Sequence, residues 1–500
     1  NFSKVATLSN GNFVVVYQDE FEGNATDVDI KYAIRKSDGT PTASSGDVPG
    51  ANGGGLEVDP DVAALRNGGF VVVWTDDANT AATEIRATIL SNTGAPVASN
   101  FRVDSALGGQ IGGQHDASVV SLADGGFLVS WADDNHNLVV AQRFDALGNK
   151  IGAQVTAKDG VDHSDAAMLA DGRIAFAIDD FDATPAPGDE DVNTSIWDPR
   201  TPAGNFDGIN QSDFLWQHDN GLAAVWLLHD TSVAFNGAVG PNVGPSWHLI
   251  GDGDFNADGR SEFLWQNDSG QAAVWGLNNG TNLAYSAAVG PNPGSSWHVI
   301  DTGDFNGDNK SDILWQGDDG TPAIWLMNGA QATWMGAAGS FNPGPTWQIK
   351  GTGDFNGDGK SDILWQGDDG TPAIWLMNGA QATWMGAVGP LNPGPTWQIK
   401  GTGDFNGDGK SDILWQGDDG TPAIWLMDGT TVTGLGAVGV NPGASWHVVG
   451  TGQFNNGDTN ADILWQDDGG QAAVWLMDGM DVISKTGVGG NPGADWHLIA

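Results

Sequence analysis

In the last three-fifths of the chain, short apolar runs alternate with turn clusters, and no stretch sustains the 3.6-residue period of an amphipathic helix. A representative stretch reads Asp362-Ile-Leu-Trp-Gln, a Gly-Asp-Asp-Gly turn, Pro372-Ala-Ile-Trp-Leu-Met, an Asn-Gly turn at Asn378, a run near Trp384, and Trp397-Gln-Ile-Lys. This pattern predicts four short strands in each stretch of about 50 residues. The first 200 residues carry a looser version, in Val5-Ala-Thr-Leu-Ser-Asn-Gly-Asn-Phe13, Val62-Ala-Ala-Leu-Arg-Asn-Gly-Gly-Phe70, Val119-Val-Ser-Leu-Ala-Asp-Gly-Gly-Phe127 and Ala166-Ala-Met-Leu-Ala-Asp-Gly-Arg-Ile174, spaced by 57, 57 and 47 residues. Each places an Asn-Gly or Asp-Gly turn between two apolar runs, which is a hairpin signal. Phe70-Val-Val-Val-Trp74 is apolar on both alternating faces, so that strand is expected to be covered on both sides.

Tryptophan supplies the ruler of the later repeat. Trp216, Trp265, Trp315, Trp365, Trp415 and Trp465 fall 49 or 50 residues apart. Trp226, Trp275, Trp325, Trp375, Trp425 and Trp475 keep the same period, and a third series, Trp247, Trp297, Trp347, Trp397, Trp446 and Trp496, is read as closing each unit. Residues 342–377 and 392–427 are identical, the mark of internal duplication. Four strands per repeat is the stride of a propeller blade. The expected fold is therefore all-β, with about ten blade-like repeats of four short antiparallel strands. A sandwich need not repeat, and solenoid coils are shorter. The repeat type changes across a Pro- and Asp-rich stretch, dividing the chain into 1–200, with four looser repeats, and 201–500, with six Trp-rich ones. Blade arithmetic leaves one large ring and two modules both open, with two modules preferred.

Composition narrows the partners. The chain has 75 Gly, and its 63 acidic residues divide into 57 Asp and 6 Glu, a bias toward turns and oxygen-ligand loops. A net charge of −44 opposes nucleic acids and anionic membranes and favours cations. The absence of cysteine removes disulfides, thiol nucleophiles and iron–sulfur ligation together. No apolar run approaches a membrane span, and a chain opening on Asn1 without a basic and apolar leader reads as a mature or excised piece.

Four of the six Trp repeats contain one acidic nonapeptide: Asp254-Phe-Asn-Ala-Asp-Gly-Arg-Ser-Glu262, Asp304-Phe-Asn-Gly-Asp-Asn-Lys-Ser-Asp312, Asp354-Phe-Asn-Gly-Asp-Gly-Lys-Ser-Asp362 and Asp404-Phe-Asn-Gly-Asp-Gly-Lys-Ser-Asp412. Short oxygen side chains at positions 1, 3 and 5 can converge when such a loop curls, and Gly or Asn at position 6 tolerates a left-handed backbone. Position 7 offers a carbonyl and position 9 a closing carboxylate. Oxygen-only ligation selects Ca²⁺ over Zn²⁺, and a flexible, crowded shell disfavours Mg²⁺. The alternative is a set of solvated acidic turns. The first repeat, Asn205-Phe-Asp-Gly-Ile-Asn-Gln-Ser-Asp213, has Ile209 in place of an acid, and the last, over 453–462, has one residue inserted, so neither is assigned a metal.

At these residues the chain resembles the FG-GAP or VCBS repeat family, whose calcium-loop blades also occur in integrin α-subunit propellers and some fungal propeller lectins. The resemblance spans about 204–500 and implies a β-propeller, loop-bound Ca²⁺, an extracellular setting, and roles in adhesion or glycan binding. Carried over by position, the side-chain ligands would be Asp254, Asn256, Asp258 and Glu262; Asp304, Asn306, Asp308 and Asp312; Asp354, Asn356, Asp358 and Asp362; and Asp404, Asn406, Asp408 and Asp412. Arg260, Lys310, Lys360 and Lys410 would give carbonyls. The repeats of residues 1–200 resemble those of large secreted bacterial adhesin-like proteins.

Periodic tryptophans can stack on sugar rings or wedge blades together, and the Trp216 and Trp226 series, set inside apolar runs, read as core. Trp334 and Trp384 occur in only two repeats, in Ala-Thr-Trp-Met, and are the candidates for a ligand contact. His248, His298, His447 and His497 recur with the repeat and read as blade grammar. His115, His136 and His163 lack a recognisable partner motif. Asp368-Asp369 and Asp418-Asp419 read as turn acids, and no nucleophile elbow or metalloprotease helix is present. The expectation is a secreted bacterial calcium-binding propeller, not an enzyme, acting in adhesion, glycan binding or extracellular assembly. Its partners would be a glycan, a matrix or surface component, or itself, with no nucleic acid and no membrane span. The runner-up is a propeller-based polysaccharide lyase or hydrolase, which would break the repeat with unique polar residues at one mouth.

Overall fold

The computed structural model describes residues 3–20, 28–52, 56–77, 83–104, 113–122, 125–136, 138–159, 163–169, 173–180, 191–197, 202–209, 211–389, 391–455 and 460–499. Among them every regular element is a strand, and no helix is long and apolar enough to cross a membrane. Packing divides the chain into Asn1–Pro199 and Arg200–Ala500.

The first unit contains antiparallel sheets Ser3–Thr7 to Pro41–Asp47, Glu57–Ala64 to Pro96–Arg102, Gln114–Ser121 to Lys150–Asp159, and a three-stranded sheet from His163–Met168 to Asp191–Trp197. Their first strands contact one another in succession. Phe70 to Thr75 are all buried, covered on both faces as the apolar run requires. Asn10-Gly11 and Asn67-Gly68 make the hairpin turns, with glycine φ of 82° and 94°. The equivalent Asp124 lies outside the described residues.

The second unit is six four-stranded antiparallel sheets. Blade 4 is typical, with strands Trp347–Gly353, Asp362–Gly367, Pro372–Asn378 and Gln381–Ala387. The third tryptophan series therefore opens each sheet instead of closing it: Trp347–Gly353 turns through the acidic loop and pairs with Asp362–Gly367, which holds it in the sheet that follows. The exception closes the ring. Trp496–Ile499, the last strand, pairs with Phe214–His218, so the two ends of the unit complete blade 1 together. First strands of successive blades touch all the way round, from Trp247–Gly253 to Trp496–Ile499 and back. Arg200–Ala500 is thus a closed six-bladed propeller on its own, which resolves the ring count for this unit.

The cores lie between blades. Phe355, Leu364 and Ile374 of blade 4 pack on Ile399, Ile413, Trp415 and Trp425 of blade 5, and equivalent clusters fill the other interfaces, including Phe454, Leu464 and Val474 of blade 6 on Phe214, Trp216 and Trp226 of blade 1. The Trp216 series is 0–1% exposed and the Trp226 series 4–8%. Within each blade the two rings sit 4.6–5.0 Å apart, tilted by 40–48°. They are wedges, as their apolar contexts predict. The buried Nε1–H of the first ring meets no oxygen or nitrogen acceptor in any of the six blades.

Polar seams join the same interfaces. The glutamine ending each Leu-Trp-Gln run reaches the first strand of the next blade, donating Nε2 to one carbonyl at 2.6–2.8 Å and accepting a backbone N–H on Oε1 at 2.9–3.2 Å. Nearer the acidic loops, Thr302, Thr352, Thr402 and Thr451 each pass a hydroxyl to a carbonyl of the preceding blade.

Candidate functional sites on the propeller

In blades 2 to 6 this loop joins the first and second strands, in blade 1 it only leads into the second, and the six loops form a ring of their own. The backbone N–H at position 8 donates to the position 1 carbonyl of the loop before it, Ser261 to Asn205, Ser311 to Asp254, Ser361 to Asp304, Ser411 to Asp354, Ala461 to Asp404 and Ser212 to Gln453, at 2.7–2.8 Å. Position 7 side chains cover their neighbours, with Lys360 over Gly307, Lys410 over Gly357 and Arg260 over Gly208. Lys410 also pairs with Asp428 at 2.7 Å.

Inside a loop the acids divide the work. Asp304 at position 1 accepts the N–H groups of Gly307, Asp308 and Asn309 at 2.7–3.1 Å, and Asp354 does the same for Gly357, Asp358 and Gly359. Asp404 takes Asp408 and Gly409, and Asp254 takes Asp258 and Gly259. Asp258, Asp308, Asp358 and Asp408 at position 5 accept the position 7 N–H at 2.9–3.1 Å. The position 9 carboxylates are the framework. Asp312 accepts from Phe305 N and Met327 N, Asp362 from Phe355 N and Met377 N, and Asp412 from Phe405 N and Met427 N, and all three are fully buried. Asp213 repeats the arrangement with Phe206 and Leu228, although its loop lacks the position 5 acid. In the last loop residues 456–459 lie outside the described ones.

Electrostatically the acids of a loop act on one another. Burial pushes Asp312 and Asp362 up to about 8 and Asp412 to about 7, with the position 1 and position 5 carboxylates adding to the rise. Glu262 rises to about 9 for the same reasons, burial first and then Asp254 and Asp258.

The donors are all oxygen, which suits a hard cation. In the loop of blade 3, Asn306 Oδ1 at position 3 is buried with no hydrogen-bond partner, as a metal ligand would be in the absence of its ion. The other position 3 amides are engaged: Asn256 donates to Glu262 at 2.6 Å, and Asn356 and Asn406 to Asp358 and Asp408 at 3.3 and 3.2 Å. Among the described residues no three acidic side chains gather round one point. The donor set fits at positions 1, 3 and 5, with the position 9 acid bracing the loop from behind.

Trp334 and Trp384 stand on the outermost strands of blades 3 and 4, 40% and 39% exposed. Each indole lies along its own strand, where a Cβ on Gly336 or Gly386 would come 2.7–2.8 Å from the ring. On the first strands, His248, His298, His447 and His497 hold Asp268, Asp318, Asp468 and Asp219 through Nε2 at 2.7–2.8 Å. In the first unit His115 lies between Asp116 and Asp134 at 2.6 and 2.8 Å, and His136 meets Asp133 at 3.1 Å. The side chain of His163 lies outside the described residues. Asp369 and Asp419 cap their own turns through Thr371 N and Thr421 N.

Residues 254–315, from the acidic loop of blade 2 to the second strand of blade 3, match the model of FG-GAP-like repeats. The same loop, strand and interface grammar continues through blades 4 and 5, so the ring is a propeller of FG-GAP-type repeats. A chain in the crystal structure of a nidogen/laminin complex aligns over 58% of this chain and 97% of its own length, at 11% identity and a TM-score of 0.39. No curated protein matches the sequence.

Proposed function

We propose that this is a secreted, calcium-stabilised propeller whose role is binding: adhesion to a surface or matrix, recognition of glycans, or extracellular assembly. The carrying observation is repetition. Near-identical blades present equivalent outer strands, and blades 3 and 4 display Trp334 and Trp384 at the same place on each. Equivalent weak sites gain strength together when the ligand is itself multivalent. Calcium enters at the acidic loops, where Asp304, Asn306 and Asp308 and their equivalents would hold it; the ion would replace carboxylate repulsion by attraction.

Two measurements on the whole chain test this. For calcium, a dissociation constant on the order of 0.1 mM against about 1 mM free ion gives about 1.4 kcal/mol per site, or several kcal/mol over four loops. EDTA should then lower the melting transition of the propeller well below that in excess Ca²⁺, and superimposable transitions would leave the loops as acidic turns. For binding, a multivalent glycan and matrix array should give signals that fall in a Trp334→Ala, Trp384→Ala double variant. Retention of every signal in that variant would remove the outer tryptophans from the binding face.

A further inference from the structure

The first strands of the ring share one pattern with local departures, Asp252 at the sixth residue in blade 2 and Asp301 at the fifth in blade 3, and two further positions change together in two adjacent blades. The fourth residue is Ile250, Ile300, Val449 and Ile499 in blades 2, 3, 6 and 1, but Lys350 and Lys400 in blades 4 and 5. The second residue changes with it, from the aspartate-paired histidines to Gln348 and Gln398. We propose that the inner edge of blades 4 and 5 is a binding site for an oxyanion, a carboxylate or sulfate group held by Lys350 and Lys400 with the amide of Gln348.

Placement is the first support. Strands Trp347–Gly353 and Trp397–Gly403 touch, and the two lysines occupy the same register on them, both half-buried. Between blades 3 and 4 the corresponding edge opens a cleft of about 340 Å³ lined by His298, Ile300, Asp318, Trp347 and Gln348. One blade further on, Lys350 takes the place of Ile300 there.

The second support is the lack of a counter-charge. Some lysines elsewhere find carboxylates, as Lys31 does with Asp19 at 2.6 Å and Lys410 with Asp428. Among the described residues neither Lys350 nor Lys400 forms an ion pair. Lys350 donates to Gln348 Oε1 at 2.8 Å, which leaves Gln348 Nε2 as a further donor. Asp368 acts on Lys350 through space without pairing with it, and burial together with Lys400 works against the Lys350 charge. Two half-buried cations side by side are costly alone, and one anion between them relieves both burial and repulsion. The His-to-Gln change at Gln348 suits the same end, since it replaces a ring tied to an aspartate by an amide that can donate, whereas Gln398 Nε2 donates to Pro395 O at 3.1 Å.

A free small anion and the acidic residue of a polysaccharide present the same chemistry. Titration calorimetry on the whole chain with sodium sulfate, glucuronate, glucose and polygalacturonate separates them. The variant is Lys350→Ile with Lys400→Val, the residues that blades 3 and 6 already carry, so the fold should be retained and its melting transition can verify that. Sulfate and glucuronate should bind the parent and bind the double variant at least tenfold more weakly, while glucose binds neither. Polygalacturonate binding more tightly per site than glucuronate would identify a polymeric source, and equal affinity a free anion. No anion binding by the parent, or equal binding by a folded double variant, overturns the proposal.

Discussion

Replacing Gln366 by leucine removes one of the six amide clasps at nearly constant volume. Gln366 is 3% exposed; its Nε2 lies 2.7 Å from Trp397 O and its Oε1 accepts Ile399 N at 3.2 Å, both on the next blade. Two such bonds contribute about 1 kcal/mol each, and stranding a buried carbonyl and N–H costs a further 1 kcal/mol or so, giving about 3 kcal/mol. The unit spans 301 residues, from 200 to 500. At about 2.1 cal/mol/K per residue its unfolding entropy is about 0.6 kcal/mol/K, so the midpoint should fall by about 5 °C. Gln381, exposed on the outer strand of the same blade, is the control: Gln381→Leu should change stability by less than about 0.5 kcal/mol. Scanning calorimetry of the whole chain reads both. Equal shifts for the two variants, or a shift under about 1 °C for Gln366→Leu, would mean that the clasps are incidental and that apolar packing alone joins the blades.

Two further outcomes follow from the geometry. His115 is held charged by its hydrogen bond to Asp116, then by Asp134, and rises from 6.5 to about 9. A raised folded-state value means stability that is full below pH 6.5 and lost as pH climbs toward 9, at most about 3 kcal/mol. The stability difference between the parent and His115→Asn, measured by urea titration, should therefore be large at pH 6 and nearly vanish at pH 9.5; a pH-independent difference would refute the charged pairing. Gly370 has φ 91° and its added Cβ would lie 2.3 Å from Gly394 O, whereas Gly379 has φ 60° and open space around it. Gly370→Ala should cost about 3 kcal/mol or more and Gly379→Ala about 1, and denaturation midpoints in the reverse order would refute the clash.

The strands were readable because each apolar run ends at a turn that glycine must make, and the tryptophan period located them to within a residue or two. Four things were hidden, each because it depends on residues far away in the chain. The third tryptophan strand looks like the end of a unit, but its hydrogen bonds go forward across the acidic loop, and only the pairing of Trp496–Ile499 with Phe214–His218 fixes which sheet each strand joins. The glutamine of Leu-Trp-Gln reads as a polar strand end, since its partner lies about 30 residues on in another blade. His115 shows no partner motif because Asp134 stands in the turn after the neighbouring strand, 19 residues away. In the acidic loops the spacing identified the oxygen-rich positions, but it could not reveal that Asp312, Asp362 and Asp412 at position 9 spend their two oxygens on backbone N–H groups, one of them 15 residues downstream.

Ring closure explains where this sequence is free to vary. Each blade must turn the chain by the same sixth of a revolution, so a change at one interface has to be absorbed by the others. The glutamine clasp is kept in all six blades and the loop-to-loop hydrogen bond at all six interfaces, through blades that differ elsewhere. The outer strands have no neighbour outside them, and there the residues change: Trp334-Met335 and Trp384-Met385 give way to Gly434-Leu435 and Ser484-Lys485, with Lys485 set 3.3 Å over the face of Trp475. The first strands are the opposite case, crowded at the centre, so a substitution there must fit its neighbours. Lys350 and Lys400 replace apolar residues at that crowded edge, in two blades whose remaining residues are nearly identical. Neither lysine forms an ion pair among the described residues, and an anion held between them would supply the missing partner to both.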